Sequence, residues 1–195
     1  MKNLFLLVGP SGSGKSTLEA NLVKTAPEQF HKAISATTRE KRKGEVDGVD
    51  YYFKQREGEN RGLPVFDPSE MLETVEFAGN LYGLPVSEVS ETKDTIVVVE
   101  PNGVVQITEY VEENMPDTKV YVIYMDIPFQ VRLDNMIKER GDDPKTVRER
   151  LAKDNIEETF KAFGIKADLT IKKLNPQLHF HVLEWIEVTK RIYSV

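Results

Sequence analysis

The feature that most constrains this chain is Gly9-Pro10-Ser11-Gly12-Ser13-Gly14-Lys15-Ser16-Thr17, which directly follows the apolar run 4–8. It satisfies G-x-x-x-x-G-K-[ST] at every fixed position, with a strand-like run before it and a helix-competent stretch after it. Glycines at 9, 12 and 14 let the backbone curl until successive N–H groups point inward and cradle a di- or triphosphate. A helix beginning there adds the partial positive charge of its N-terminus. Lys15 reaches the β- and γ-phosphates, and the Ser16 hydroxyl is placed to hold Mg2+. A plain Gly/Ser turn would leave the Lys-Ser pair and the spacing unexplained.

Five short apolar runs, at 4–8, 33–36, 95–99, 120–125 and 169–171, read as strands. The longer ones are continuous, as in a sheet covered on both faces. Helical patterns lie between most of them. Leu18, Leu22 and Val23 follow the loop, and Phe129, Leu133, Met136 and Ile137 form a stripe that ends near Gly141. Asp143-Pro144 opens a helix carrying Val147, Leu151, Ile156 and Phe160 with a stop at Gly164. Asn175-Pro176 opens the last one, with Leu178, Val182, Trp185, Ile186 and Ile192 on one side. This alternation predicts an α/β protein of P-loop type, a five-stranded parallel sheet flanked by helices.

Residues 37–92 break the rhythm: they are rich in charge, Gly and Pro, hold the strand-like stretch 50–54, and read as an inserted lobe. With 195 residues and 39% hydrophobic composition, one domain with such insertions is the expected size. A net charge of −6 argues against nucleic acid or an anionic membrane as the main partner, so any anion must be held by local positive sites. There are no cysteines, which excludes thiol nucleophiles and zinc-thiolate sites. Five apolar residues after Lys2 are too few for a signal h-region, and no run approaches the ~18 needed to span a membrane. A cytoplasmic protein, monomeric or a simple homo-oligomer, is expected. His31, His179 and His181 form no metal-ligand grouping.

The lobe carries the most information. Ser35-Ala36-Thr37-Thr38-Arg39-Glu40-Lys41-Arg42-Lys43-Gly44-Glu45, then Gly48-Val49-Asp50-Tyr51-Tyr52-Phe53, resembles the acceptor-binding signature of guanylate kinases, S-x-T-T-R-x-x-R-x-G-E followed by G-x-D-Y-x-F. Glu73 and the stretch 77–83, with Tyr82, resemble that family's next block. The resemblance implies a nucleoside-monophosphate-binding lobe at 37–92 and a lid at 140–150 on a core of 1–36, 93–139 and 151–195. It implies ATP at residues 9–17 with Mg2+ at Ser16, and acceptor contacts from Ser35, Arg39, Arg42, Glu45, Tyr51, Glu73, Tyr82 and Glu100. It also implies that Lys15, Arg140 and Arg150 act on the transferring phosphoryl group. The residues agree on their own terms. Arg39 and Arg42, three apart, with a phenol nearby at Tyr51, offer guanidinium forks for one phosphate. The base-reading role of Glu73 is what the resemblance implies: a carboxylate there accepts from guanine N1–H and N2–H2, where adenine presents a bare acceptor.

Three positions depart from the family pattern. Leu84 stands where Ser or Thr usually meets the guanine oxygen, and Val98 and Glu100 stand for D-x-D. Met136 replaces a lid arginine, with Arg132 one turn further back as the candidate substitute. Losing up to two base contacts, each worth ~0.5–1.5 kcal/mol, leaves the acceptor open between GMP or dGMP and a different or modified base. A non-catalytic interaction module is the other alternative, opposed by the intact loop. A GTPase-type switch lacks its apolar-run-Asp-Gly motif here.

Overall fold

Strand β1 (Lys2–Val8) runs through the middle of a sheet, and its packing explains why its apolar run is unbroken. Leu4, Leu6 and Val8 enter one core layer and Phe5 and Leu7 the other, all five fully buried. A strand covered on both faces has no solvent positions at which polar residues could alternate. The structure, a computed structural model, describes residues 2–42, 44–54, 67–77, 79–139, 141, 143–152 and 154–192.

After β1 come α1 (Lys15–Thr25) and β2 (Phe30–Lys32). Four further strands follow: β3 (Ala36–Thr37), β4 (Tyr52–Phe53), β5 (Met71–Phe77) and β6 (Asn80–Pro85). The chain then forms β7 (Asp94–Val98), α2 (Pro101–Asn114) and β8 (Thr118–Met125). It continues through α3 (Phe129–Asp134), α4 (Pro144–Ala152) and α5 (Ile156–Ala162) to β9 (Leu169–Ile171) and α6 (Leu178–Ile192).

Strands β2-β7-β1-β8-β9 pair in that order, every pair parallel, giving the five-stranded sheet that the alternation of elements implied. One face is covered by apolar residues of α2 and α5, the other by those of α1 and α6. A second sheet, ordered β4-β3-β6-β5, is mixed in direction. The parallel register sets Leu7 against Val98 and Val8 against Tyr124, so β1, β7 and β8 end nearly level. The order changes hands at β1, and the crevice at such a point is where open α/β sheets bind ligands.

Two elements differ from the pattern read in the sequence. The strand expected at 33–36 is two pieces: β2 pairs with β7, whereas β3 belongs to the second sheet. Ala33 N–H still donates to the Ile96 carbonyl at 3.0 Å, but the next amide, Ile34 N–H, donates to the Glu88 carboxylate at 2.8 Å. That side-chain acceptor draws the chain off β7 and towards β4, where Tyr52 N–H donates to the Ser35 carbonyl. The helix expected to run from Asp143 to Gly164 is α4 and α5, broken where Asp154 turns its carboxylate to other amides. The start was legible, with Asp143 Oδ2 accepting from Thr146 N–H at 2.9 Å. Ile192, on the expected stripe of α6, is 64% exposed, beyond Thr189, the last buried residue of that helix.

Leu84 is fully buried in the layer that contains Leu72, Val89, Val97 and Val104. Leu84→Ala should cost 2–5 kcal/mol, roughly, through the cavity it leaves. Leu84→Ser should cost more than Leu84→Ala, because its hydroxyl enters an apolar layer. Urea unfolding of the two variants checks the order.

Candidate active site

The loop after β1 is held in a tight shape that two glycines permit. A Cβ at position 9 would lie 2.7 Å from the Met125 carbonyl oxygen. Gly12, with φ +77°, would place one 2.7 Å from the Arg132 carbonyl oxygen and 3.0 Å from Met136. Inside the loop Ser13 N–H donates to the Pro10 carbonyl at 3.2 Å. The Ser13 hydroxyl is the one buried side-chain polar atom without a partner among the described residues. Lys15 folds back so that its ammonium donates to the carbonyls of Gly9 and Pro10, the latter at 3.1 Å. Ser16 is exposed at the start of α1.

Beside this loop opens a cleft of about 460 Å3. Ser11, Gly12, Lys15 and Ser16 line it, whereas Gly9, Pro10, Ser13, Gly14 and Thr17 do not. Ser35, Arg39, Arg42, Glu45, Tyr51, Glu73, Tyr82, Glu100 and Arg150 all line it too. Arg140 lies outside the described residues. Among the described residues the lining carries five cationic and five acidic side chains.

On the opposite wall the Arg39 guanidinium is already held by an internal partner. Arg39 makes a two-pronged pair with Glu45, at 2.8 and 3.0 Å, and Glu45 also accepts Arg42 N–H at 2.7 Å. The Arg39 guanidinium, hydrogen-bonded to Glu45, is pushed above its usual range, and that same bond holds the Glu45 carboxyl below its own. The guanidinium lies 5.4 Å from the centre of the Tyr51 ring, and Tyr51 meets Tyr82 edge-on at 6.1 Å. This is a rigid cluster of guanidinium and phenol groups on one wall.

The floor is acidic. Glu73, on β5 directly opposite Leu84, is 7% exposed. Burial, with Glu100 nearby, pushes its carboxyl up to about 7. A Cβ at position 103 would come within 3.4 Å of that carboxylate, so Gly103 in the first turn of α2 leaves it room. Burial also raises Glu100, against the pull of Lys15. Val98 lines the floor, whereas Leu84 does not. The position at 84 has turned into core.

Some lining residues were not singled out in the sequence. Glu19 is 5% exposed, and burial pushes it up to about 7 although Lys32 stands 3.9 Å away. Its signal was available, since Glu19 follows Lys15 and Ser16 by four and three residues and shares their face of α1. Lys32, at the end of β2, also donates to the Val49 carbonyl at 3.1 Å, and no local pattern announces that contact. Arg132 and Met136 take places unlike those expected of a lid. Met136 is buried with Leu133, Val147 and Leu151, and Arg132 donates to the carbonyls of Ile127 and Ser11 instead of lining the cleft.

Comparison with known proteins is consistent over most of the chain. Residues 1–171 match the family model described as guanylate kinase. The chain is similar to the guanylate kinase of Enterococcus faecalis, 36% identical over 154 residues, 76% of this chain and 71% of the relative. It is likewise similar to that of Bacillus cereus, 36% identical over 161 residues, 79% of this chain and 74% of the relative. In fold it is similar to the crystal structure of guanylate kinase from Anaplasma phagocytophilum, with a TM-score of 0.59 and 24% identity over 96% of this chain and 86% of that one. Among the described residues no helix is long and apolar enough to cross a membrane.

The raised carboxyl of Glu19 makes a signed prediction. Its neutral form is favoured by folding, so its stabilising contribution is complete below the unfolded value of 4.5 and is lost as pH rises through about 7. Glu19→Gln, fixed in the neutral state, should melt above the parent at about pH 8, with the gap closing towards about pH 5. A melting-temperature difference that stayed flat across that range would show that Lys32 keeps the carboxylate charged in the fold.

Proposed function

The chain belongs to the guanylate kinase family, and from that premise we propose how its cleft moves the γ-phosphoryl group of ATP to GMP or dGMP, giving ADP and GDP or dGDP. The observation that carries the reading is that Ser11, Gly12, Lys15 and Ser16 of the loop and the Arg39–Tyr51–Tyr82 wall line a single cleft of about 460 Å3. Two phosphate sites in one space make a two-substrate transferase. The interaction-module and other-base readings have no support from the relatives, which are named as the kinase.

The roles divide along the cleft. Residues 9–17 hold the ATP phosphates, with Lys15 turning from the Gly9 and Pro10 carbonyls to the β- and γ-phosphate oxygens. Ser35, Arg39, Arg42, Glu45, Tyr51 and Tyr82 hold the acceptor, and Glu45 acts mainly by aiming Arg39. Residues 37–92 serve as the acceptor lobe and 140–150 as the lid, on a core of 1–36, 93–139 and 151–195; the separate four-stranded sheet favours that division. Phosphoryl transfer asks little covalent chemistry of a protein, so positioning and charge carry the rate. Arg150, and Arg140 by its sequence position, supply positive charge to the transferring group as the lid closes. Closure also excludes water, which would otherwise hydrolyse ATP.

The Ser16 hydroxyl, a hard-oxygen donor lining the cleft at the start of α1, fits Mg2+, while Glu100, near Lys15, serves with Glu73 on the acceptor side. Among the described residues no group of three or more His, Cys, Asp or Glu is set to hold a metal, which suits an ion that binds through few protein ligands and the nucleotide phosphates. When bound, Mg2+ would supply charge neutralisation to the ATP phosphates, with Ser16 placed to hold it. Glu73 accepts from guanine N1–H and N2–H2. With Leu84 in the core and Val98 apolar, guanine is read chiefly on that edge.

A coupled assay over the common nucleoside and deoxynucleoside monophosphates tests the reading, with turnover expected to be greatest for guanine. Higher turnover with another base would overturn it. Lys15→Ala should lose ~10²–10³-fold in kcat, the cost of one preorganised donor, with GMP binding retained. Glu73 must be ionised to accept from guanine, so GMP affinity should strengthen as pH rises through about 7. Glu73→Gln should weaken GMP and flatten that dependence, leaving only the part due to the acceptor phosphate; titration calorimetry from about pH 6 to 8 measures it, and an unchanged profile would exclude Glu73 as base reader.

A further inference from the structure

Residues 11 and 12 of the loop are gripped from outside the cleft. Ser11 N–H donates to Asp154 Oδ2 at 2.6 Å, while the Ser11 carbonyl accepts from Arg132 Nη1 at 3.2 Å. The next carbonyl, Gly12, accepts from Asn135 Nδ2 at 2.9 Å. Asn135 opens the wider π-type turn, Asn135–Glu139, that continues α3, and such turns bring side chains to places a regular helix cannot reach. The Asp154 side chain is 4% exposed, and Arg132 stands 3.6 Å from it. Its second oxygen accepts Ile156 N–H at 3.3 Å, at the start of α5. Asp154 therefore touches the loop, the arginine of α3 and the amide that opens α5, all in one connection.

We propose that Asp154 is a positioning residue of the donor site, fixing the loop to Arg132 of α3 and to the start of α5. The proposal rests on the reading of residues 9–17 as the ATP site. Asp154 does not line the cleft, and its charge is met by Arg132 and two backbone amides. It is a brace behind the loop, not a carboxylate standing where phosphate would lie. Drawing Ser11 N–H backwards orients the Pro10–Ser11 peptide, and Arg132 holds the carbonyl of the next one. Arg150 lies on the last turn of α4, four residues before Asp154, and lines the cleft. The same carboxylate holds the loop and the start of α5, while the Asp154 N–H donates to the Leu151 carbonyl of α4 at 3.4 Å. Three side chains, Arg132, Asn135 and Asp154, hold three consecutive peptide groups of the loop.

The test is binding of a non-hydrolysable ATP analogue with Mg2+, and separately of GMP, by titration calorimetry on the parent, Asp154→Ala and Asp154→Asn. Analogue affinity should fall at least ten-fold in Asp154→Ala and less in Asp154→Asn, with GMP affinity within two-fold of the parent in both. Arg132→Ala combined with Asp154→Ala should be no weaker for the analogue than the worse single variant by more than two-fold. The isosteric Asn variant keeps the experiment readable if Asp154→Ala does not fold. Equal losses for both nucleotides, tracking melting temperature, would reduce Asp154 to a structural residue and overturn the proposal. Tighter analogue binding would overturn it too, marking the carboxylate as a plug. A parent that does not bind the analogue would overturn the reading of the loop, whereas a binding parent with indifferent variants would overturn the brace alone.

Discussion

The rest of the site depends on how closely the peptide after β1 approaches the end of β8. No side chain fits at position 9, because the Met125 carbonyl oxygen would lie 2.7 Å from its Cβ. That contact fixes where the chain leaves the sheet, and the level ends of β1, β7 and β8 do the rest. Because Leu7 pairs with Val98, Glu100 emerges just beyond the sheet beside Lys15. The parallel sheet is thus less a container for the chemistry than a ruler that brings three strand ends to one line.

How much was legible in the sequence followed the range of the forces involved. The loop at 9–17 could be read because its requirements are local: glycines for curvature, a lysine and a hydroxyl at fixed offsets. The unbroken run at β1 could be read because double-sided burial leaves a one-dimensional trace. Glu88 drawing Ile34 off the sheet could not, since donor and acceptor lie 54 residues apart and neither is unusual locally. Asp154 interrupts a helical pattern for the same kind of reason, an acceptor used 143 residues away. Leu84 and Val98 were visible as departures, but their fates differ. Leu84 became core, whereas Val98 remained on the cleft floor, and only packing could separate the two.

The lobe wall and the loop share a property that suits the proposed reaction. Each holds its cations on internal acceptors, Arg39 on Glu45 and Lys15 on backbone carbonyls. In the proposed reaction a phosphate exchanges those partners without requiring the side chains to be ordered from a mobile state, so part of the entropy of assembling the clamp is spent during folding. The acidic floor works in the opposite sense. Burial raises Glu19, Glu73 and Glu100, each for want of water, and with Glu19 and Glu73 pushed up to about 7 those two are partly neutral at ordinary pH and less hostile to incoming phosphate than full charges would be.

Among the described residues, the five cations that line the cleft share it with five carboxylates, and burial leaves two of these, Glu19 and Glu73, partly neutral at ordinary pH. In a protein whose net charge is −6, the positive balance this creates is local to the cleft and does not come from the overall field. Anion recognition in this fold is a matter of ångströms: it switches on only after the phosphate is already between the walls.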